Sequence, residues 1–217
     1  MANKLKKRYQ LSNGENCPGV TTIVGELGWS KNSLVQWANR LGLNGIDSRK
    51  YVDDKASIGS LAHLLILSEL KKEEPDLKDY TGNQITQAKN CLKSYHSWAK
   101  GKEIDPIYIE ERFVSDKLRF GGTPDFFGNI DKVATLIDYK SGKGIYPEYV
   151  LQVAAYFNLI EERGNKVSEV RILNIPRADD ESFAEKVITR EELENGWKIF
   201  QHLLAIYNLK GAIKKEY

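Results

Sequence analysis

Asp125, Asp138 and Lys140 are the residues of this 217-residue chain whose types and spacing could do chemistry. Asp125 closes the run Gly121-Gly122-Thr123-Pro124-Asp125, and the other two lie in Leu136-Ile137-Asp138-Tyr139-Lys140-Ser141-Gly142. The runs Phe120 to Ile130 and Val133 to Lys140 are apolar or β-branched and flank the polar pair Asp131-Lys132, which predicts a β-hairpin with a tight connection. With the turn centred on that pair, Ile130 faces Val133, and the same register sets Asp125 opposite Asp138. Directly opposed residues have Cβ atoms ~4.5–5.5 Å apart. Strand side chains alternate, so Asp138 and Lys140 share a face while Ile137 and Tyr139 point to the other. Two acids and a lysine then converge.

Carboxylates held together on a strand face are costly unless paired or bound to a cation. Oxygen ligands of this kind suit Mg²⁺ or Mn²⁺, which can activate water and neutralise charge building on a scissile phosphate. Lys140 would orient the water or stabilise the pentavalent transition state. The competing reading is a solvated hairpin whose Asp138–Lys140 pair is an ordinary surface salt bridge. An acid-x-Lys triplet alone favours that second reading.

The longer pattern shifts the balance. Gly-Gly-Thr-Pro-Asp, then Ile-Asp-Tyr-Lys-Ser-Gly, then Gln152-Val-Ala-Ala-Tyr156 resemble, in order and spacing, the PD-(D/E)xK nuclease superfamily. The branch is the RecB-like one, which also covers phage-encoded exonucleases and the CRISPR adaptation nucleases. The resemblance implies an α/β fold with a restriction-endonuclease-like core, a central mixed β-sheet flanked by helices. It implies metal-binding acids at Asp125 and Asp138, a ligating backbone carbonyl at Tyr139, a catalytic lysine at Lys140, and a Gln-x-x-x-Tyr motif at Gln152 and Tyr156. A glycine four residues before a histidine, here Gly59 and His63, matches the branch's first helix, where the histidine is a metal ligand. Read alone, a single histidine on an apolar face is more often a core residue. Members often carry a glutamate some way before the Gly-Thr/Pro-Asp motif, and Glu110 fits that spacing better than Glu111. Some carry an iron–sulfur cluster, which the two cysteines here, Cys17 and Cys91, cannot build alone.

The elements that must position these residues follow from pattern. Pro147 suits a first helical turn, Glu148 the positive end of the dipole and Gly164 a stop, so a helix spans about 147–163. Gln152 and Tyr156 share one face of it beside Tyr149, able to reach DNA or to brace the carboxylates. Val150, Val153, Ala154, Phe157 and Ile160 supply its apolar surface. Ala56 to Leu70 reads as a largely buried helix carrying His63, and Ile107 to Val114 as a strand leading into the hairpin. The N-terminal half is mainly helical: Ser30 to Ser33 cap a helix through Trp37 to Leu41, and Thr81 to Lys100 forms another. Trp37 reads as core packing first, with stacking on a single strand as the competing role for it and Trp29. Strands at Glu169 to Ile175 and near Phe183 to Thr189 precede a last helix, Arg190 to Leu209.

Length and composition fit one domain over 1–217, with a helical part about 20–100, a catalytic core about 105–175 and a C-terminal helix about 190–209. No apolar run approaches the ~20 residues that span a bilayer, and the basic start lacks a signal peptide's apolar core. A soluble, cytoplasmic protein with no membrane partner is expected. The net charge of +2 says little; the patches at Lys4 to Arg8, Arg40 to Lys55 and Lys210 to Lys215 could contact phosphates, as could Lys143 behind the catalytic lysine. The expected activity is Mg²⁺- or Mn²⁺-dependent DNA exonuclease action on single- or double-stranded ends, in recombination, repair or end processing, in keeping with a phage origin and a recombination partner protein. An endonuclease of the same superfamily and a non-catalytic DNA-binding or assembly subunit are the competing readings.

Overall fold

The computed structural model describes residues 8–213, so Lys4, Lys6, Lys7, Lys214 and Lys215 of the basic patches lie outside the described residues. Short strands β1 (Tyr9–Gln10) and β2 (Asn16–Cys17) precede helices α1 (Val20–Val24), α2 (Lys31–Leu43), α3 (Ser48–Lys71) and α4 (Gly82–Ala99). Five strands follow: β3 (Ile104–Ile109), β4 (Phe113–Ser115), β5 (Phe120–Gly122), β6 (Phe126–Ile130) and β7 (Val133–Lys140). The chain closes with α5 (Pro147–Glu162), β8 (Glu169–Asn174), β9 (Ala184–Val187) and α6 (Arg190–Ile213).

The main sheet has the order β3-β6-β7-β8-β9, with β7 and β8 parallel and the other neighbours antiparallel. This is the expected mixed sheet flanked by helices. The β6–β7 hairpin has the expected register, Ile130 opposite Val133. Asp131 and Lys132 both adopt positive φ, 49° and 70°, as a two-residue type I′ connection requires.

Side-chain alternation on the sheet separates two cores. Phe127, Leu136 and Ile172 face α5, α6 and α1, joining Leu151, Val153, Leu159 and Phe200. Their chain neighbours Phe126, Ile137 and Leu173 face α3 and α4, joining Leu61, Ile66, Tyr95 and Trp98. Each fully buried aliphatic or phenyl side chain contributes roughly 1.5–3 kcal/mol.

Four expectations are corrected. Phe120 to Ile130 is not one strand: it breaks at Thr123-Pro124-Asp125, and β5 pairs with β4 rather than β7. Pro124 has no N–H to give a ladder. The strand expected over 107–114 stops at Ile109, because Glu110 turns to φ 50° before β4 resumes. Helix α3 starts at Ser48 rather than near Ala56, since Asp47 Oδ1 accepts from the N–H groups of Arg49 (2.9 Å) and Lys50 (3.1 Å) and satisfies the first turn. Trp37 is not core: α2 buries none of its residues, and Trp37 packs edge-on against Tyr51 at 5.8 Å. No helix among the described residues is long and apolar enough to cross a membrane.

Candidate active site

The β6–β7 ladder ends at Phe126 opposite Ile137, and Asp125 is the next residue, so the register carries it across from Asp138. Its carboxylate is fixed twice. Oδ2 accepts from the Tyr139 N–H at 2.8 Å, and Oδ1 lies 3.3 Å from His63 Nδ1 on α3. Asp138 and Lys140 share the face covered by α5, as alternation requires. The Asp138 side chain is 2% exposed; its Oδ2 meets the Lys140 ammonium at 2.7 Å without a well-aligned hydrogen bond, while its Oδ1 accepts from Gln152 Nε2 at 3.2 Å.

Gln152 is the hub of the α5 side. Its Oε1 accepts from Lys140 Nζ at 2.9 Å, and its Nε2 also donates to the Tyr156 hydroxyl at 2.9 Å. Tyr149 stands on the same helix face and puts its ring centroid 4.7 Å from Lys140 Nζ, a cation–π contact. The Gln-x-x-x-Tyr pair therefore braces the charges rather than projecting outward; Tyr156 is buried.

The electrostatics follow from burial and pairing. Burial pushes the Asp138 carboxyl up to about 6, the Lys140 ammonium offsetting part of that and the Asp125 charge adding to it. Asp125 goes the other way: burial raises it, but His63, Lys140 and the Tyr139 N–H together outweigh burial and hold it below the ordinary carboxyl value. His63 and Lys140 are both pushed down by burial and raised further by facing carboxylates, net upward. The cluster is thus two acids facing an imidazole and an ammonium whose pKa values are both raised, in a largely water-excluded setting.

Remaining walls combine the marked glycines with two residues that the sequence did not mark, Tyr9 and Asn174. Tyr9 of β1 reaches Thr123 Oγ1 with its hydroxyl at 2.8 Å. Gly121 and Gly122 leave room for rings on both sides: a Cβ on Gly121 would overlap the Tyr9 ring, and one on Gly122 would come within 2.7 Å of the Tyr156 ring. Gly59 of α3 lies against the loop after β7, where a Cβ would stand 2.8 Å from Ser141 Oγ. Fully buried Asn174 donates to the carbonyls of Gly142 and Ser182, both at 2.9 Å, and ties that loop down. A strand-terminal asparagine carries no pattern that would have singled it out.

Two sequence candidates stay outside the cluster. Lys143 is exposed and lies 3.9 Å from Asp180. Glu110 is exposed, with its carboxylate 3.7 Å from Lys71 Nζ; only its backbone N–H touches the site, donating to the Asp125 carbonyl at 3.1 Å. A cavity of about 390 Å³ lined by Arg8, Gln10, Arg112 and Val114 lies away from the carboxylates. Tyr9, whose ring stacks on Arg112, stands between the two regions.

Two carboxylates, a main-chain carbonyl at Tyr139 and an imidazole form a donor set that suits Mg²⁺ or Mn²⁺ chemically. Buried Asp138 Oδ2, engaged only by an ammonium, is a spare acceptor of the required type. As the side chains stand, no three His, Cys, Asp or Glu residues close on one point among the described residues. Ligation therefore competes with the His63–Asp125 and Lys140–Asp138 contacts.

No protein-family model matches the sequence, and no curated protein matches it either. Among solved structures the chain is similar to a candidate exonuclease from Eubacterium rectale, with 12% identity, 89% of this chain and 70% of that one covered, and a TM-score of 0.40. It is also similar to an alkaline exonuclease from Laribacter hongkongensis, solved alone and with dAMP, at 16% identity, 73% and 86% coverage and a TM-score of 0.35. Overlaps this partial leave the reading of the site to its own residues and distances.

Proposed function

We propose that this protein is a divalent-metal-dependent DNA exonuclease that hydrolyses phosphodiester bonds at DNA ends, serving recombination, repair or end processing, with a phage origin in keeping with its motifs. The observation that carries the reading is the buried Asp138–Lys140–Gln152 network beside Asp125, a costly arrangement with no structural need that apolar side chains would not meet better.

Asp125, Asp138 and the Tyr139 carbonyl, with His63 alongside, would hold Mg²⁺ or Mn²⁺, which supplies a water of lowered pKa and Lewis-acid polarisation of the phosphate. Gln152 fixes both Asp138 and Lys140 before substrate arrives. Lys140, protonated and held by Gln152, presents positive charge toward a phosphate that gains negative charge as water attacks. Tyr149 limits water access to the ammonium, strengthening its field. Asp138 is anionic above about pH 6 and then able to ligate.

End-labelled linear single- and double-stranded DNA and covalently closed circles, each with Mg²⁺, Mn²⁺ or EDTA, provide the test. Metal-dependent loss of linear DNA that spares circles and vanishes in Lys140→Ala is the expected result. Cleavage of circles points instead to an endonuclease. Binding without cleavage under any divalent ion points to an assembly role.

A further inference from the structure

Resting on that reading, we infer that α2 and the first turns of α3 form a track for single-stranded DNA leading to the carboxylates. The segment is the outlier of the surface. Among the described residues, seven of the fifteen exposed large apolar side chains fall between Trp29 and Val52, among them Trp29, 56% exposed, and Tyr51, 38% exposed. Four cations of the same segment, Lys31, Arg40, Arg49 and Lys50, are exposed and make no ion pair among the described residues. Of the nearby acids, Asp47 caps α3 and Asp54 accepts from Gln84, leaving Asp53 as the remaining uncommitted carboxylate. Apolar rings interleaved with unpaired cations match a strand with stackable bases and regular phosphates.

Continuity with the site is built into α3. Tyr51, Lys55, Gly59 and His63 recur every four residues on successive turns. His63 faces Asp125, Gly59 touches Ser141 of the loop after Lys140, Lys55 Nζ stands 5.7 Å over the Tyr51 ring, and Tyr51 packs on Trp37. Arg177, bidentate with Glu181, flanks this row, its Nη2 3.7 Å from where a Cβ on Gly142 would stand. From His63 to Tyr51 the helix rises roughly 18 Å, a length that several nucleotides of a single strand can follow.

Fluorescence anisotropy in EDTA with labelled 5- and 20-nucleotide single strands tests the track without any cleavage. The 20-mer should bind wild type at least about tenfold tighter than the 5-mer and more tightly than a 20-bp duplex. Trp37→Ala/Tyr51→Ala should weaken 20-mer binding by about tenfold or more with an unchanged salt slope. Arg49→Ala/Lys50→Ala should lower the slope of log K against log salt by about 1.4. Trp29→Ala, at an exposed site, should weaken binding about threefold and keeps the test readable if the double variant misfolds. Unchanged 20-mer affinity in all three variants overturns the inference, as does equal duplex affinity, or a wild-type dimer by sedimentation that the aromatic substitutions dissolve. A wild type that cleaves nothing but shows these binding losses removes the nuclease reading and leaves the track standing.

Discussion

Helices α5 and α2 are of similar length and opposite economy. Of the 16 residues of α5, eight are buried, and the same helix supplies Gln152, Tyr149 and Tyr156 to the charge cluster. Of the 13 residues of α2, none is buried, although it carries Leu34, Val35, Trp37, Leu41 and Leu43. Apolar content alone therefore does not say what a helix is for. In α5 it secures a site between sheet and helix; in α2 it stays in water beside cations, at a cost that a binding partner would relieve.

The sharpest break of this contrast is in activity. Lys140→Ala or Asp138→Ala should lower DNA cleavage by about 10³-fold, whereas no substitution confined to α2 should approach that on a short substrate; steady-state cleavage rates decide. Stability gives the next largest separation. Leu159→Ala, on α5 and 1% exposed, should cost about 2–5 kcal/mol, while Leu34→Ala, 53% exposed on α2, should stay within about 0.5 kcal/mol. Equal denaturant midpoints for the two would abolish the distinction. Lys140→Met, which strands Asp138 without its cation, should cost about 3–5 kcal/mol, and Asp138→Asn/Lys140→Met should recover most of it while remaining inactive.

A smaller effect sharpens the α5 side through pH. The folded-state pKa of Asp138, about 6, lies above the unfolded carboxyl value of ~3.9. Its stabilising contribution is therefore complete below about pH 4 and is lost as pH rises through about 6, on the order of 2–3 kcal/mol. The Asp125 shift has the opposite sign, and its loss lies below about pH 3.9, outside that window. Chemical denaturation from pH 5 to 7 should show stability falling with rising pH more steeply in wild type than in Asp138→Asn; equal slopes would contradict the assignment.

Much of the site was legible because hairpin register is local. Two turn residues between apolar runs are enough to pair Ile130 with Val133, and counting outward brings Asp125 to Asp138. The helix-face argument likewise placed Gln152, Tyr149 and Tyr156 together. What escaped depends on contacts far apart in sequence. Glu110 shares a strand pattern with its neighbours, and nothing local reveals that it turns to positive φ toward Lys71. Tyr9 and Asn174 join the site only once separate strands assemble. Trp37 failed as a core residue for the converse reason, since apolar side chains are enriched inside without being obliged to go there.

The bare α-carbons of Gly121 and Gly122 let Tyr9 and Tyr156 close on opposite sides of one strand, and that sets an order of events during synthesis. Tyr9 leaves the ribosome 112 residues ahead of Gly121, a delay on the order of 5–20 s at ~5–20 residues per second. For that interval β1 and β2 have no Gly121 to dock on, and the carboxylate cluster stays unfinished until α5 emerges as well. A nascent chain of this protein would thus be born inactive and acquire its proposed activity in a late step, when β1 finds the glycine pair.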